Sequence, residues 1–292
     1  MPYNPPYVKM TTSSKGDYLG ELSSLFRTDM IRSLRTESKF DRDFFARILC
    51  DNFSISVSSY SDLFENAYRI LFWYYRSEYV FKNALFNKRV LNRNTTIVSS
   101  FITELRVEEH ALDVLLPQST ELSIEIKSPL DGMNRINGQL ESFKKVFPKL
   151  YVLTDYSKLH LVTAITPPEV GIIIFTNRYQ FTLFRHATID FKRLEKSVMF
   201  DTLRASEYVN VLPKTDISQH PNTKRYNIAK SDFCNYDNKV AYDFFLAALI
   251  GRSPTIETAT LKSFPHSIRL AVYNSRIPVP DISRIKEQFF KR

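Results

Sequence analysis

The feature that most constrains this chain is a strand, a helix and a strand in immediate succession. ELSIEIKS and LYVLTD are short runs rich in Ile, Val and Leu, and MNRINGQLESFKKVF between them sets Ile136, Leu140, Phe143 and Phe147 on one helical stripe. A helix of that size between two strands is a crossover, which pairs its strands in parallel. The core is therefore expected to be mixed α/β.

The flanking sequence extends this unit in both directions. LRVEEH and ALDVLLP precede ELSIEIKS with almost no linker, as an antiparallel meander requires, with Gln118, Ser119 and Thr120 turning into the third strand. Downstream, SKLHLVTAI reads as a short helix, and GIIIFTN and YQFTLFRHA as further strands. The first twenty residues, with Pro2, Pro5 and Pro6, form an irregular lead-in, and amphipathic helices begin near Gly20. Ser61 to Leu91 reads as one long helix, capped by Ser61 with Asp62 and Glu65 in its first turn. It is apolar on more than one face, so it packs against something large. Its later charges, Arg76, Lys82, Lys88 and Arg89, read as a solvated face, with phosphate contact as the alternative. FWYY at residues 72–75 reads as core rather than as a base-stacking platform.

After Asp190, KRLEKSVMFDTLRASEYVNVL is helical, PKTDISQHPNTKRY is a polar loop, and DNKVAYDFFLAALIG is an apolar helix ending at Gly251. The tail offers two short helices around Pro278 and Pro280. The expected organisation is an N-terminal arm with helices over 1–60, the α/β core over 61–190, and a helical C-terminal subdomain over 191–292.

Composition narrows the classes of function. With 292 residues, 43% of them hydrophobic, the chain can bury a sizeable core. The net charge of +9 comes from 40 basic residues mixed with 31 acidic ones, a bias compatible with a polyanionic partner such as nucleic acid and equally with ordinary solubility. Cys50 and Cys234 form neither a disulfide framework nor a zinc pattern, and the opening MPYNPPYVKMTTSSKG lacks a signal-peptide pattern. No run of about 18 apolar residues marks a membrane span. A soluble protein of the reducing cytoplasm, with no membrane partner, is expected. The five histidines are scattered, and there is no P-loop, G-x-G-x-x-G or G-x-S-x-G.

Charges inside the strands are what a folding account leaves over. Asp113 interrupts ALDVLLP, and Glu125 and Lys127 share one face of ELSIEIK because residues two apart in a strand point the same way. In antiparallel neighbours joined by a short turn, Asp113 and Glu125 can lie side by side. Adjacent carboxylates raise one another's pKa unless a cation relieves them, and a Mg²⁺-type site uses such carboxylates with other oxygen ligands and water. Lys127 is placed to act on an attacking water. The alternative is an ion pair on the wet face of a sheet.

The order Glu104, Asp113, Glu125-Ile126-Lys127 and then a helical Gln139 resembles the PD-(D/E)XK nuclease superfamily, the restriction-endonuclease-like fold, and within it an uncharacterised bacterial branch with EIK-S followed by an acidic residue, an Arg and a Gln. The resemblance covers roughly residues 70–190. It implies an αβββαβ core with a mixed sheet. It also implies metal ligation by Asp113, Glu125 and the Ile126 carbonyl, a catalytic Lys127, and Glu104 as the outlying acidic ligand, a role for which Glu108 and Glu109 compete but read instead as a turn. Leu112 stands where the superfamily's name has Pro. Gln139 and Phe143 resemble the Q-x-x-x-Y motif of the exonuclease branch, with Phe143 lacking the Tyr hydroxyl; Asp131 and Arg135 lie beside the site as loop charges. The activity implied is Mg²⁺- or Mn²⁺-dependent phosphodiester hydrolysis, on DNA in preference to RNA, and a ribonuclease toxin on the same fold differs only by substrate. A catalytically silent nucleic-acid-binding or protein-recruiting module of a defence or regulatory assembly is the reading from a different class. A protein partner or homo-oligomer is compatible with either.

Overall fold

The computed structural model describes residues 15–34, 41–92, 96–98, 101–117, 122–211 and 220–290. The expected turn at Gln118, Ser119 and Thr120, the lead-in up to residue 14 and the loop over 212–219 lie outside the described residues.

In chain order, α1 (Lys15–Ser24), α2 (Thr28–Ser33), α3 (Arg42–Phe53), α4 (Tyr60–Tyr74) and α5 (Glu78–Leu85) come first, and α5 runs on into a π-helical turn, Phe86–Leu91. Then follow β1 (Ile97–Val98), β2 (Ile102–Val107), β3 (His110–Leu116), β4 (Leu122–Lys127), α6 (Ile136–Lys144), β5 (Leu150–Thr154), α7 (Leu159–Ile165), β6 (Gly171–Phe175) and β7 (Phe181–Arg185). The chain continues through α8 (Lys196–Thr202), α9 (Ala205–Val211), α10 (Asn222–Cys234), α11 (Asn238–Ile250), β8 (Ile256–Glu257), α12 (Thr258–Lys262), α13 (Arg269–Ser275) and α14 (Val279–Phe290).

The fold is α/β. Six strands in the order β2-β3-β4-β5-β6-β7 form one mixed sheet: the β2–β3, β3–β4 and β6–β7 pairs are antiparallel, and β4–β5 and β5–β6 are parallel. The strand, crossover helix and strand of the sequence are β4, α6 and β5, so with β1 set aside as part of another sheet, α5, β2, β3, β4, α6 and β5 follow in the order α-β-β-β-α-β. β1 and β8, which the sequence did not reveal, form a separate antiparallel pair.

Each face of the sheet has its own core. Val114, Leu116, Ile124, Ile126, Leu153 and Phe175 pack with apolar side chains of α1–α5 and α12–α14. Leu115, Val152 and Ile172 face α6, α7 and α8–α11 on the other side, where the predicted stripe of Ile136, Leu140, Phe143 and Phe147 is fully buried. The helices after residue 190 thus divide between the two faces. α10 occupies part of the stretch expected to be a loop; its composition is largely polar, and the described side chains it buries include Ala229 and Phe233.

The helix expected over Ser61–Leu91 is two helices. α4 is capped by Ser59, not Ser61: the Ser59 hydroxyl accepts from the Asp62 N–H at 3.1 Å. α4 stops at Tyr74 because Arg76 turns inward with φ of 42°. Its guanidinium donates to Asn177 Oδ1 at 2.6 Å and to the Phe175 carbonyl at 2.7 Å, and Nε lies 3.1 Å from Asp155 Oδ2. Arg76 and Lys82, expected on a solvated face, are buried. Lys88 and Arg89 are exposed, as that expectation required.

Candidate functional site

The site begins with sheet register. Thr103 pairs with Val114 and Leu105 with Leu112, which sets Glu104 opposite Asp113; Val114 pairs with Ile124, which sets Asp113 opposite Glu125. Three acidic residues on three adjacent strands therefore occupy one row across the sheet. The β3–β4 ladder runs from Leu116 to Val114 and goes no further, so at Asp113 the strands part and the carboxylate takes over: Asp113 Oδ2 accepts the Ile126 N–H at 2.6 Å. Glu104 has φ of 55°, a left-handed conformation inside a strand that a non-glycine residue adopts only under local constraint.

Lys127, one pleat beyond Glu125, donates to Glu125 Oε1 and to Gln139 Oε1, both at 2.8 Å. Gln139 comes from the second turn of α6, the crossover helix that covers this face. Phe143, one turn on, is fully buried and packs edge-on to His110, so its place is in the core. Ile126 points its side chain into the opposite core while its backbone N–H holds Asp113. Asp131 accepts the Ser128 N–H at 2.8 Å and so shapes the loop after β4, and Arg135 lies exposed before α6. Glu108 and Glu109 sit at the β2–β3 turn, and Glu108 pairs with Lys145 at 2.7 Å.

Two participants come from α5. Lys82 is buried and contacts the carboxylates of Glu78, Glu104 and Asp113, the last at 3.2 Å. Glu78, Glu104 and Asp113 each bring a carboxylate oxygen to within 4.8 Å of the others. The signal for this pair was present in the sequence: Glu78 and Lys82 are spaced i,i+4 in the largely apolar EYVFKNALF, the same misfit that marks Glu125 and Lys127 in β4.

The electrostatics follow from burial. Asp113 has its pKa raised well above the ordinary carboxylate value, chiefly by burial, with Lys82 opposing and Glu125 adding to the rise. Glu125 is raised for the same first reason, with Lys127 opposing. Burial disfavours the Lys82 ammonium, yet Asp113, Glu78 and Glu104 outweigh it and raise its pKa. Four carboxylates stand against two ammonium groups, leaving two formal negative charges. Glu125 is 2% exposed, and its Oε2 is buried without a hydrogen-bond partner among the described residues. An unpaired buried carboxylate oxygen is costly.

Glu78, Lys82 and Glu104 also line a cavity of about 710 Å³. Arg27, Arg204 and Arg276, all exposed, line the same cavity; Arg27 pairs with Asp29 at 3.5 Å, Arg276 donates to the Arg252 carbonyl at 3.2 Å, and the Arg252 side chain is held by Glu207. A second cavity of about 580 Å³ shares Glu104, Arg204 and Arg252 with it and adds Arg106, Glu108 and Asp201, so side chains of both signs line the surface along β2 and the acidic cluster.

The family model described as Bacteriophage P4 protein cII matches residues 74–247, more than half of the chain. The chain belongs to that family. The matched segment contains Glu78, Lys82, Glu104, Asp113, Glu125, Lys127 and Gln139, and spans α5, the whole six-stranded sheet and α6 to α10. No curated protein and no solved structure matches the chain.

Proposed function

We propose that the chain is a metal-dependent nuclease of the PD-(D/E)XK type, hydrolysing phosphodiester bonds in nucleic acid, DNA in preference to RNA. The observation that carries this is the row Glu104–Asp113–Glu125 across three strands, with Lys127 and Gln139 joined to its end and two negative charges in excess. The donor set suits Mg²⁺ or Mn²⁺: every ligand is a hard oxygen, one divalent ion neutralises the excess, and Glu125 Oε2 gains the partner it lacks. Asp113 and Glu125 would hold the ion, with Glu104 and Glu78 directly or through water. Bound there, it polarises the phosphodiester and lowers the pKa of a nearby water.

The chain's own groups do the positioning. Glu125 and Gln139 fix the Lys127 ammonium from two sides, so the rotamer entropy of a long side chain is lost on folding rather than in the transition state. Held in this way, Lys127 orients the attacking water and stabilises charge developing on the phosphate. Arg27, Arg204, Arg276 and Arg106 hold the backbone along this surface. The free state of Cys50 and Cys234 accords with a reducing cytoplasm as its place of action.

The test is a panel of labelled DNA and RNA, single- and double-stranded, with Mn²⁺, Mg²⁺ or EDTA. The expected result is cleavage that needs the divalent ion and falls by at least about 10²-fold in Asp113→Asn and Lys127→Ala with circular dichroism unchanged. No divalent-dependent cleavage of any substrate, or variants that cut like the wild type, overturns the proposal. Lys82, already against three carboxylates, favours the second reading, a silent binding module with an internal cation. That reading predicts nucleic-acid binding with no Mn²⁺ uptake by calorimetry.

A further inference from the structure

At the carboxyl ends of β4, β5 and β6 lies a separate cavity of about 360 Å³, and its walls are aromatic. Trp73, Tyr74 and Tyr75, from the end of α4, and Tyr156, on the loop after β5, line it. FWYY is expected in the core; Phe72 is fully buried, and the three residues after it are partly buried, pack against the core and also line this cavity. Tyr156 is 61% exposed and Leu130, on the rim, 51%. A cavity lined by aromatic side chains with a few convergent polar groups is the usual form of a ligand site.

The polar groups narrow what that ligand is. The floor is fixed by Arg76, whose guanidinium is clamped between Asp155 and Asn177. A heteroaromatic ring combines a flat face for aromatic side chains with an edge that hydrogen-bonds, which matches a lining of Trp73, three tyrosines, Ser157 and Asn177. The setting points the same way. Pro129, on the rim, follows Lys127 by two residues, at most about 7 Å of chain, and the Thr154 hydroxyl donates to the Lys127 carbonyl at 2.8 Å immediately before Asp155.

We infer that this cavity receives a nucleobase of the polynucleotide strand whose phosphate lies at Lys127, stacked on Tyr156 and the Trp73–Tyr75 wall; the inference rests on the nucleic-acid reading above. It makes the loops after β4 and β5 the part of the protein that senses whether a base is present, while the arginines along β2 sense only phosphate.

Trp73 is the single tryptophan of the chain, so its fluorescence reports on this cavity alone. The full chain is titrated in EDTA, which prevents cleavage, with a twelve-nucleotide single-stranded DNA, an abasic oligonucleotide of equal length, and dAMP. The expected result is quenching by the DNA and binding to it about fivefold to a hundredfold tighter than to the abasic strand. Tyr156→Ala, at an exposed position, should remove most of that preference without changing affinity for the abasic strand, and Tyr156→Phe should restore it. Equal affinity for the two strands, unchanged fluorescence, or quenching by dAMP with none by the oligonucleotide overturns the inference. The readout is independent of cleavage: quenching without any divalent-dependent cleavage sinks the nuclease reading alone, and cleavage without base preference sinks the pocket alone.

Discussion

Two charge clusters join the N-terminal helices to the sheet, one buried and one that leaves Glu78 and Glu104 partly open to solvent, and they differ in balance. Around Arg76, one guanidinium meets one carboxylate, Asp155, and neutral acceptors from Asn177 and the Phe175 carbonyl, with Phe72, Phe81 and Phe175 packed against its plane at 4.8 to 5.5 Å from the ring centres. Around Asp113, four carboxylates meet two ammonium groups, one oxygen is left unpaired, and one residue adopts a left-handed conformation. A balanced cluster needs nothing from outside and ties elements together. An unbalanced one raises the free energy of the fold until a cation arrives, and such an expense is tolerated where function needs it.

The largest expected effect that would break this contrast is on Arg76. Arg76→Ala leaves Asp155 buried and uncompensated and should cost about 3–5 kcal/mol of unfolding free energy by chemical denaturation. Arg76→Lys should recover little of it, because an ammonium cannot reach three acceptors in a planar fork. A loss under 1 kcal/mol by that measurement would remove the architectural role of the first cluster.

The second cluster should respond in the opposite way, to ions and to pH. Mn²⁺ at a hundred times its dissociation constant should stabilise the wild type by about 2.7 kcal/mol and leave Asp113→Asn unmoved. Both Asp113 and Glu125 titrate above the ordinary carboxylate range when folded. The metal-free fold is therefore most stable while they hold protons, and it loses that contribution as pH rises from about 4 through the raised values. Thermal melts from pH 4 to 8 in EDTA should show this decline, and Glu125→Gln should flatten it. A decline that persists unchanged in Glu125→Gln would assign it to other groups.

The smallest effect belongs to the exposed arginines of the large cavity. Arg27→Ala and Arg276→Ala should each lower the slope of log K against log salt for DNA by about 1, with stability changed by less than about 0.5 kcal/mol. A slope that does not move would take that residue out of the phosphate track.

The site was half legible in the sequence, and the division follows from range. Glu125 and Lys127 share a face because a strand has period two, and Gln139 joins them because the crossover helix must return over the strand it left. Glu78 and Lys82 were not placed, since an i,i+4 pair says nothing about which sheet edge its helix docks against. The helical pattern over residues 61–91 likewise gave no sign of a break at Arg76. The acceptors that hold Arg76 lie 79 and 101 residues further on, at Asp155 and Asn177.

By itself the sequence determined the α/β class, the parallel β4–β5 pair and the row from Asp113 to Lys127, all of which follow from local periodicity and one short connection. The tertiary structure decided how many charges that row gathers. α5 brings Glu78 and Lys82, and the parting of β3 from β4 turns Asp113 onto the Ile126 N–H and leaves Glu125 with an unpaired oxygen. Burial then raises the pKa of Asp113 and Glu125, and burial is a property of the packed molecule.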